Sequence, residues 1–220
     1  LDDDQLVVDF LAVRDALDWS LPPVWGLSLS RGETPIIPRR LLSYTDHAKP
    51  GAGRFDVEGV THIVQGAPTS STTARPEVAG AAYIYRNAGA LPRARLMGRP
   101  VYVASEQAAS EAIVRLGASI RSRVVVEDPD RPLAEEAVVQ GTATITRDLP
   151  EHVEVRTEST GPAYLVLADT DDPGWSATLD GAPVPIRPAF AAFRAVFVPQ
   201  GPHTVVFRYQ PAGFSLGLTI

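Results

Sequence analysis

The second half of the chain is a series of short runs that either alternate between apolar and polar residues or are apolar throughout. Turn-forming residues separate them, and Asp180-Gly181 in particular is a strong signal for a two-residue hairpin. The runs are 141–147, 152–157, 164–168, 175–179, 184–187, 193–198 and 203–209. A period of two is the period of a β-strand with one buried face. About seven such strands predict an antiparallel β-sandwich, jelly-roll or immunoglobulin-like, over residues 133–213.

The region before the sandwich has a different pattern, in which strands are mixed with a helix. Ser105 is a good helix N-cap, and apolar residues at helical spacing follow it up to Gly117. Residues 55–132 are therefore predicted to form a small α+β portion, which makes the whole chain an α+β protein. Residues 1–54 are interpreted as an irregular or helical lead-in. The apolar residues 214–220 are interpreted either as one last strand or as the start of a transmembrane helix.

Composition and missing motifs exclude several function classes. The net charge is −6, so a basic nucleic-acid-binding face is not expected. The 220 residues include no cysteine, which excludes thiol catalysis and cysteine-based metal sites. The four histidines lie far apart, and the HExxH, GxSxG and P-loop motifs do not occur. No catalytic residue is predicted for this chain.

Several motifs follow one another in a characteristic order. In the sandwich region they are Tyr164–Asp169, Pro173-Gly174-Trp175, Asp180-Gly181, Arg194-Ala195-Val196, Pro199–His203 and Phe207–Pro211. Upstream they are Gly59–Val64, Tyr85-Arg86-Asn87 and Ala90–Ala94. Together they resemble the C-terminal extracytoplasmic domain of YfhO-type bacterial membrane proteins.

The resemblance implies a polytopic protein with a GT-C-like glycosyltransferase architecture, implicated in glycosylating cell-envelope polymers from lipid-linked sugars. The chain would be a domain on the extracytoplasmic face of the cell membrane, and the catalytic carboxylates would lie outside it. Its expected role is acceptor or partner binding, or scaffolding. The expected partners are the transmembrane portion of the parent protein and an envelope glycan. The alternative is a stand-alone carbohydrate-binding or adhesive β-sandwich.

Three of the candidate ligand contacts lie in the sandwich region. An exposed Trp175 could stack on a sugar face while Asp180 or Arg194 binds hydroxyl groups. The alternation of Trp175 with Ala177 and Leu179 favours a second interpretation, in which the indole fills the core.

The other two candidates, Asn87 and Arg93, flank the segment Gly89–Pro92. One interpretation is a ligand-facing loop. The other is a turn in which the two side chains satisfy backbone carbonyls and neighbouring carboxylates.

Three carboxylates, Asp169, Asp171 and Asp172, follow the apolar strand 164–168 and are a candidate metal site. Strand-then-Asp-x-Asp occurs in metal-dependent transferases of the soluble fold, but no nucleotide-binding βαβ unit precedes it here. A Ca²⁺ site is a second hypothesis, because this ion prefers oxygen ligands. A solvated acidic turn leading into Pro173-Gly174 is a third. No other cofactor is expected.

Overall fold

The computed structural model describes residue 40 and residues 53–65, 76–79 and 83–211. The helices are α1 (Arg54–Val57) and α2 (Glu106–Leu116), with a 3-10 helix at Gly117–Arg121. The first strands are β1 (His62–Gln65), β2 (Val78–Ala79), β3 (Tyr83–Arg86), β4 (Ala94–Met97), β5 (Val101–Tyr102) and β6 (Val125–Val126). They are followed by β7 (Gly141–Leu149), β8 (His152–Ser159), β9 (Ala163–Thr170) and β10 (Trp175–Leu179). The last are β11 (Ala182–Val184), β12 (Arg187–Ala189), β13 (Phe193–Val198) and β14 (Gly201–Tyr209).

Two predicted segments fall largely or wholly outside the described residues. They are the lead-in 1–54, apart from residues 40, 53 and 54, and the apolar residues 214–220. Neither α-helix of the described residues has the length and hydrophobicity needed to span a bilayer.

The chain divides into two compact units. The smaller unit comprises residues 1–37 and 60–90, and its described part is a three-stranded antiparallel sheet in the order β1–β3–β2. The larger unit comprises residues 38–59 and 91–220. Its described part contains α1, α2 and strands β4 to β14.

The described part of the larger unit has two sheets. One is antiparallel with five strands in the order β11–β10–β14–β8–β7. The other has six strands in the order β4–β9–β13–β12–β6–β5, of which β5 and β6 are parallel. One apolar cluster joins side chains of β8, β10 and β14 to side chains of β4, β9 and β13, so the two sheets pack face to face. The predicted fold class, α+β with a sandwich-like arrangement of sheets, is confirmed.

Strand β9 is buried on both faces, which explains its uninterrupted apolar sequence. Ala163, Leu165 and Leu167 point into the core between the sheets. Tyr164 and Val166 belong instead to a second core, which α2 and the 3-10 helix cover from the other side. Because successive side chains of a strand alternate between faces, a strand between two cores has no polar face to solvent.

Helix α2 begins and ends where its sequence predicts. The Ser105 hydroxyl accepts a hydrogen bond from the Ala108 backbone N–H at 3.2 Å, which caps the first turn. Gly117 terminates the helix with a φ of 51°, a left-handed conformation that favours glycine. Both predictions are confirmed.

The predicted strand 184–187 is wrong, because the chain changes sheets within it. Val184 ends β11 in the five-stranded sheet, and Arg187 begins β12 in the six-stranded one. Pro185 lies between them and has no N–H to donate to a strand ladder, which favours a break there.

The six-stranded sheet takes strands from both sides of residue 132. Strands β4, β5 and β6 come from the predicted α+β portion, and β9, β12 and β13 come from the predicted sandwich. The predicted domain bounds 55–132 and 133–213 themselves stay predictions.

Candidate functional site

Arg194 occupies an unusual position, inside the space between the two sheets. The pairing of β13 with β9 shifts at this point: Phe193 lies opposite Thr170, whereas Arg194 lies opposite Leu167. Arg194 shares a face of β13 with Val196 and Val198, which lie in the core between the sheets. The alternation of the strand therefore directs the guanidinium inward, and only 1% of the residue is exposed.

The guanidinium of Arg194 is held by aromatic rings and one carboxylate. Its central carbon lies 3.6 Å from the centre of the Trp175 ring system and 5.4 Å from that of Phe207. Its Nη2 donates a hydrogen bond to Asp169 Oδ2 at 2.8 Å. Stacking on an aromatic face is a favourable way to hold a partly desolvated cation.

Burial acts against the charge on Arg194 and lowers its pKa to about 10, although Asp169 and Asp171 oppose this shift. The side chain is therefore still cationic at neutral pH. Within the described residues, its Nε and Nη1 have no hydrogen-bond partner. A buried charge with incomplete pairing depends strongly on the partner that it does have.

Asp169 links Arg194 to a second arginine, Arg93. Arg93 binds it with two hydrogen bonds, Nε to Oδ1 at 2.7 Å and Nη2 to Oδ2 at 2.9 Å. A third bond joins Arg93 Nη1 to Asp148 Oδ2 at 2.6 Å. The bonds to Asp169 raise the pKa of Arg93 well above its ordinary value, and the bond to Asp148 adds to this. These contacts tie β4, β7, β9 and β13 together at one end of the sandwich.

Trp175 lies at the edge of this network and is half-buried. Besides Arg194 it contacts Tyr209, with 5.1 Å between ring centres and a tilt of 46°. The Tyr209 hydroxyl donates to Asp172 Oδ1 at 3.1 Å, which raises the pKa of Tyr209. The indole packs on the core between the sheets as a partly buried member. It therefore neither fills the centre of that core nor stands free as a stacking platform. We call Arg93, Asp169, Trp175, Arg194 and Tyr209 the inner network.

The three aspartates of the predicted metal site make separate contacts. Asp169 faces the two arginines, and Asp172 accepts from Tyr209 and from the backbone N–H of Gly174 at 3.0 Å. The Asp171 backbone N–H donates to Ala192 O, and burial raises the pKa of the Asp171 carboxyl.

In the described ranges, no three histidine, aspartate or glutamate residues lie together in a group that could hold a metal ion. Residues 169, 171 and 172 do not form such a group, and the hypothesis of a metal site there stays a prediction.

Asp180 lies away from this network, in the hairpin between β10 and β11. It has a φ of 51° and Gly181 has one of 87°, as the two central residues of this tight turn require. Its carboxylate accepts from the Thr204 N–H at 2.8 Å and lies 2.6 Å from His203 Nδ1. The hydrogen bond with His203 lowers the pKa of Asp180, and the bond from Thr204 adds to this.

Asn87 belongs to the smaller unit and closes a turn. Its Nδ2 donates to Val60 O at 2.9 Å, and its Oδ1 accepts from the Gly89 N–H at 3.1 Å. These contacts, like those of Arg93 with carboxylates, are the ones expected from the structural interpretation of this pair. The ligand-binding roles of all five candidates stay predictions.

A groove that the sequence analysis missed lies on the outer face of the five-stranded sheet. Its volume is about 420 Å³. Its lining residues are Arg147, Glu151, His152, Ser176, Arg208, Tyr209 and Gln210. The available signal was the polar half of the alternating runs 141–147, 152–157 and 203–209. We call this feature the outer groove.

The comparisons with known proteins concern the part of the chain that holds the sandwich. Residues 134–220 match the family model of the bacterial membrane protein YfhO. The match includes Trp175, Arg194 and the outer groove, whereas Arg93 and Asn87 lie before it. The resemblance to YfhO is confirmed for this part. No curated protein and no solved structure matches the chain.

Proposed function

We propose that this chain is a non-catalytic extracytoplasmic domain of a polytopic bacterial membrane protein that resembles glycosyltransferases of cell-envelope polymers. The observation that carries the proposal is the YfhO match over 134–220, a family of membrane proteins. Its partners would be the transmembrane portion of the parent protein and an envelope glycan. The transfer reaction itself would take place elsewhere in the parent protein.

The inner network supports a structural role for the residues at this end of the sandwich. Both oxygens of Asp169 accept hydrogen bonds from guanidinium groups, so this carboxylate is not free to act as a general base. The guanidinium of Arg194 lies against Trp175 at the distance of a stacked pair. A sugar ring would have to displace that contact in order to stack there.

The same contacts fix the geometry of the domain. Arg93 lies directly before β4, Asp169 lies on β9 and Arg194 lies on β13. Strands β4, β9 and β13 are neighbours in one sheet. Trp175 begins β10 in the opposite sheet. The network therefore joins the two sheets at their ends, which suits a rigid scaffold.

The location can be tested by labelling single cysteines with a membrane-impermeant maleimide in intact cells. The 220 residues contain no cysteine, so Val138→Cys, at a position that is 66% exposed, introduces one here. The parent protein is used with any cysteine outside this chain replaced. We expect labelling without permeabilisation. Labelling only after permeabilisation would place the domain in the cytoplasm and overturn the proposal.

A matched control uses Val205→Cys, because Val205 is fully buried between the sheets. It should react only after denaturation, whichever side of the membrane the domain occupies. Recovery of the native protein free of the membrane fraction would instead support the stand-alone β-sandwich.

A further inference from the structure

The outer groove is built by side chains that lie in register across three strands. Arg208 of β14 is paired with His152 of β8 and with Ser176 of β10. Their neighbours in sequence, Val153 and Phe207 among them, point into the core, so this row points outward. Arg147 of β7 adds a second guanidinium beside the row.

The groove contains hydrogen-bonding groups that have no internal partner. In the part of the chain that the structure describes, neither the Arg147 nor the Arg208 guanidinium makes an ion pair or a hydrogen bond. The Nε2 atom of His152 is buried and has no partner there either. Buried polar atoms are nearly always paired, so this nitrogen calls for a partner from solvent or from a ligand.

The groove and its immediate surroundings carry charges of both signs. Glu151 lines the groove, and Glu154, which does not line it, lies opposite Arg147 in the pairing of β7 with β8. Two carboxylates thus accompany the two guanidinium groups, which disfavours a strongly anionic ligand. Donors and acceptors are instead mixed, as in a site for a neutral molecule with many hydroxyl groups, each of which both donates and accepts.

We infer that the outer groove binds a saccharide. Arg147 and Arg208 donate to its hydroxyl groups, Glu151 accepts from them, and His152 does either. The Ser176 hydroxyl already donates to Arg208 O at 3.3 Å, so it serves the saccharide as an acceptor. The volume of about 420 Å³ falls within the roughly 300–1,000 Å³ usual for small-ligand sites. This inference deepens the proposed function and rests on it: it places glycan recognition on the outer face of the sheet rather than at Trp175 and Arg194.

The test is an amide NMR titration of the 220-residue chain with glucose, galactose and N-acetylglucosamine, each to high millimolar concentration. We expect at least one sugar to shift the amides of residues 147–152, 176 and 208–210 and to leave the Trp175 indole N–H in place. Inorganic phosphate, titrated in parallel, should cause no comparable shifts.

Two variants locate the site. Arg208→Gln should weaken binding about tenfold, because it removes a charged hydrogen bond to the ligand. Arg156→Gln is the matched control: Arg156 is an exposed arginine of the same strand as His152, but it does not line the groove. It should leave the affinity unchanged. If the amide signals of Arg208→Gln lose their dispersion, which would show that this variant does not fold, Ser176→Ala is used in its place. We expect it too to bind the sugar more weakly.

Several results would overturn the inference. They are an absence of shifts with all three sugars, shifts centred on Trp175, binding of phosphate in place of sugar, and equal affinity of Arg208→Gln and Arg156→Gln. None of them bears on which side of the membrane the domain occupies, which the maleimide experiment decides independently.

Discussion

Arginines lie on both faces of the five-stranded sheet, and their environments are opposite. On the inner face, Arg194 is 1% exposed, lies on Trp175 and binds Asp169. On the outer face, Arg208 and Arg147 line an open groove, and their guanidinium groups have no hydrogen-bond or ion-pair partner among the described residues. The same side-chain chemistry serves structure where it is enclosed and remains available for a ligand where it is not. Pairing and burial separate the two roles, and residue type does not.

The largest expected effect comes from the inner arginine. Arg194→Gln should lower the free energy of unfolding by about 3–5 kcal/mol, because it breaks a buried ion pair and leaves its surroundings incompletely filled. Arg194→Met should cost less, since its apolar chain can still pack on Trp175 and Phe207, while Asp169 keeps Arg93. Urea unfolding of both variants measures the difference. A loss below about 1 kcal/mol for Arg194→Gln would contradict the structural role.

A smaller loss is expected at Trp175. Trp175→Ala should cost about 2 kcal/mol, below the roughly 3–5 kcal/mol of a fully buried tryptophan, because the ring is only half-buried. Trp175→Phe should recover most of this, since a phenyl ring can still cover the guanidinium. The unfolding midpoints of the two variants test both expectations. A neutral Trp175→Ala would mean that the indole is a free surface platform after all.

A pH-dependent effect is expected at Asp171. Burial raises the pKa of this carboxyl above its ordinary value of 3.8. The positive charges of Arg40 and Arg194 oppose this shift, and the negative charges of Asp172 and Glu127 add to it. The folded state therefore holds the proton more tightly than the unfolded one. The free energy of unfolding therefore falls as the pH rises from the pKa of Asp171 in the unfolded chain through its higher pKa in the folded chain. The loss persists at neutral pH.

Asp171→Asn removes this titration. The variant should gain thermal stability relative to the parent chain as the pH rises from below 3.8 to neutral, and the gain should vanish at the acidic end. Thermal melts across this range measure it. A variant that is less stable than the parent at neutral pH would show that the carboxylate makes a net stabilising contact.

The smallest effect is expected on the outer face. Arg208→Gln should change the free energy of unfolding by no more than about 0.5 kcal/mol, since the guanidinium has no partner to lose. Urea unfolding of Arg208→Gln, measured alongside that of Arg194→Gln, compares the same substitution on the two faces of the sheet. A large loss at Arg208 would show that this arginine is structural and would remove the contrast between the two faces.

Local patterns in the sequence predicted much of the fold. The apolar run of β9 indicated a buried strand, and Ser105 and Gly117 marked the ends of α2. Contacts between distant segments were beyond such patterns. Pro185 is a local cue for the break between β11 and β12. Which sheet each of these strands joins, and the entry of β4–β6 into the six-stranded sheet, depend on pairings far apart in the chain, which have no local signature.

The candidate residues show the same division. Arg93, Asp169, Trp175 and Arg194 were all singled out from the sequence, and the structure brings them into one network. Their mutual pairing was not predicted, because the contacts of Arg194 with Asp169 and Trp175 depend on the pairing of β13 with β9 and on the packing of the two sheets. The outer groove was missed because alternation identifies outward positions on each strand, whereas the register between strands decides which of them share a row.

The contrast between enclosed and accessible arginines can be measured most directly by labelling the native chain with phenylglyoxal, followed by peptide mass spectrometry. This reagent modifies exposed guanidinium groups. We predict rapid modification of Arg147 and Arg208, and protection of Arg194 until the chain is unfolded. Modification of Arg194 in the native chain at the rate of Arg208 would contradict it.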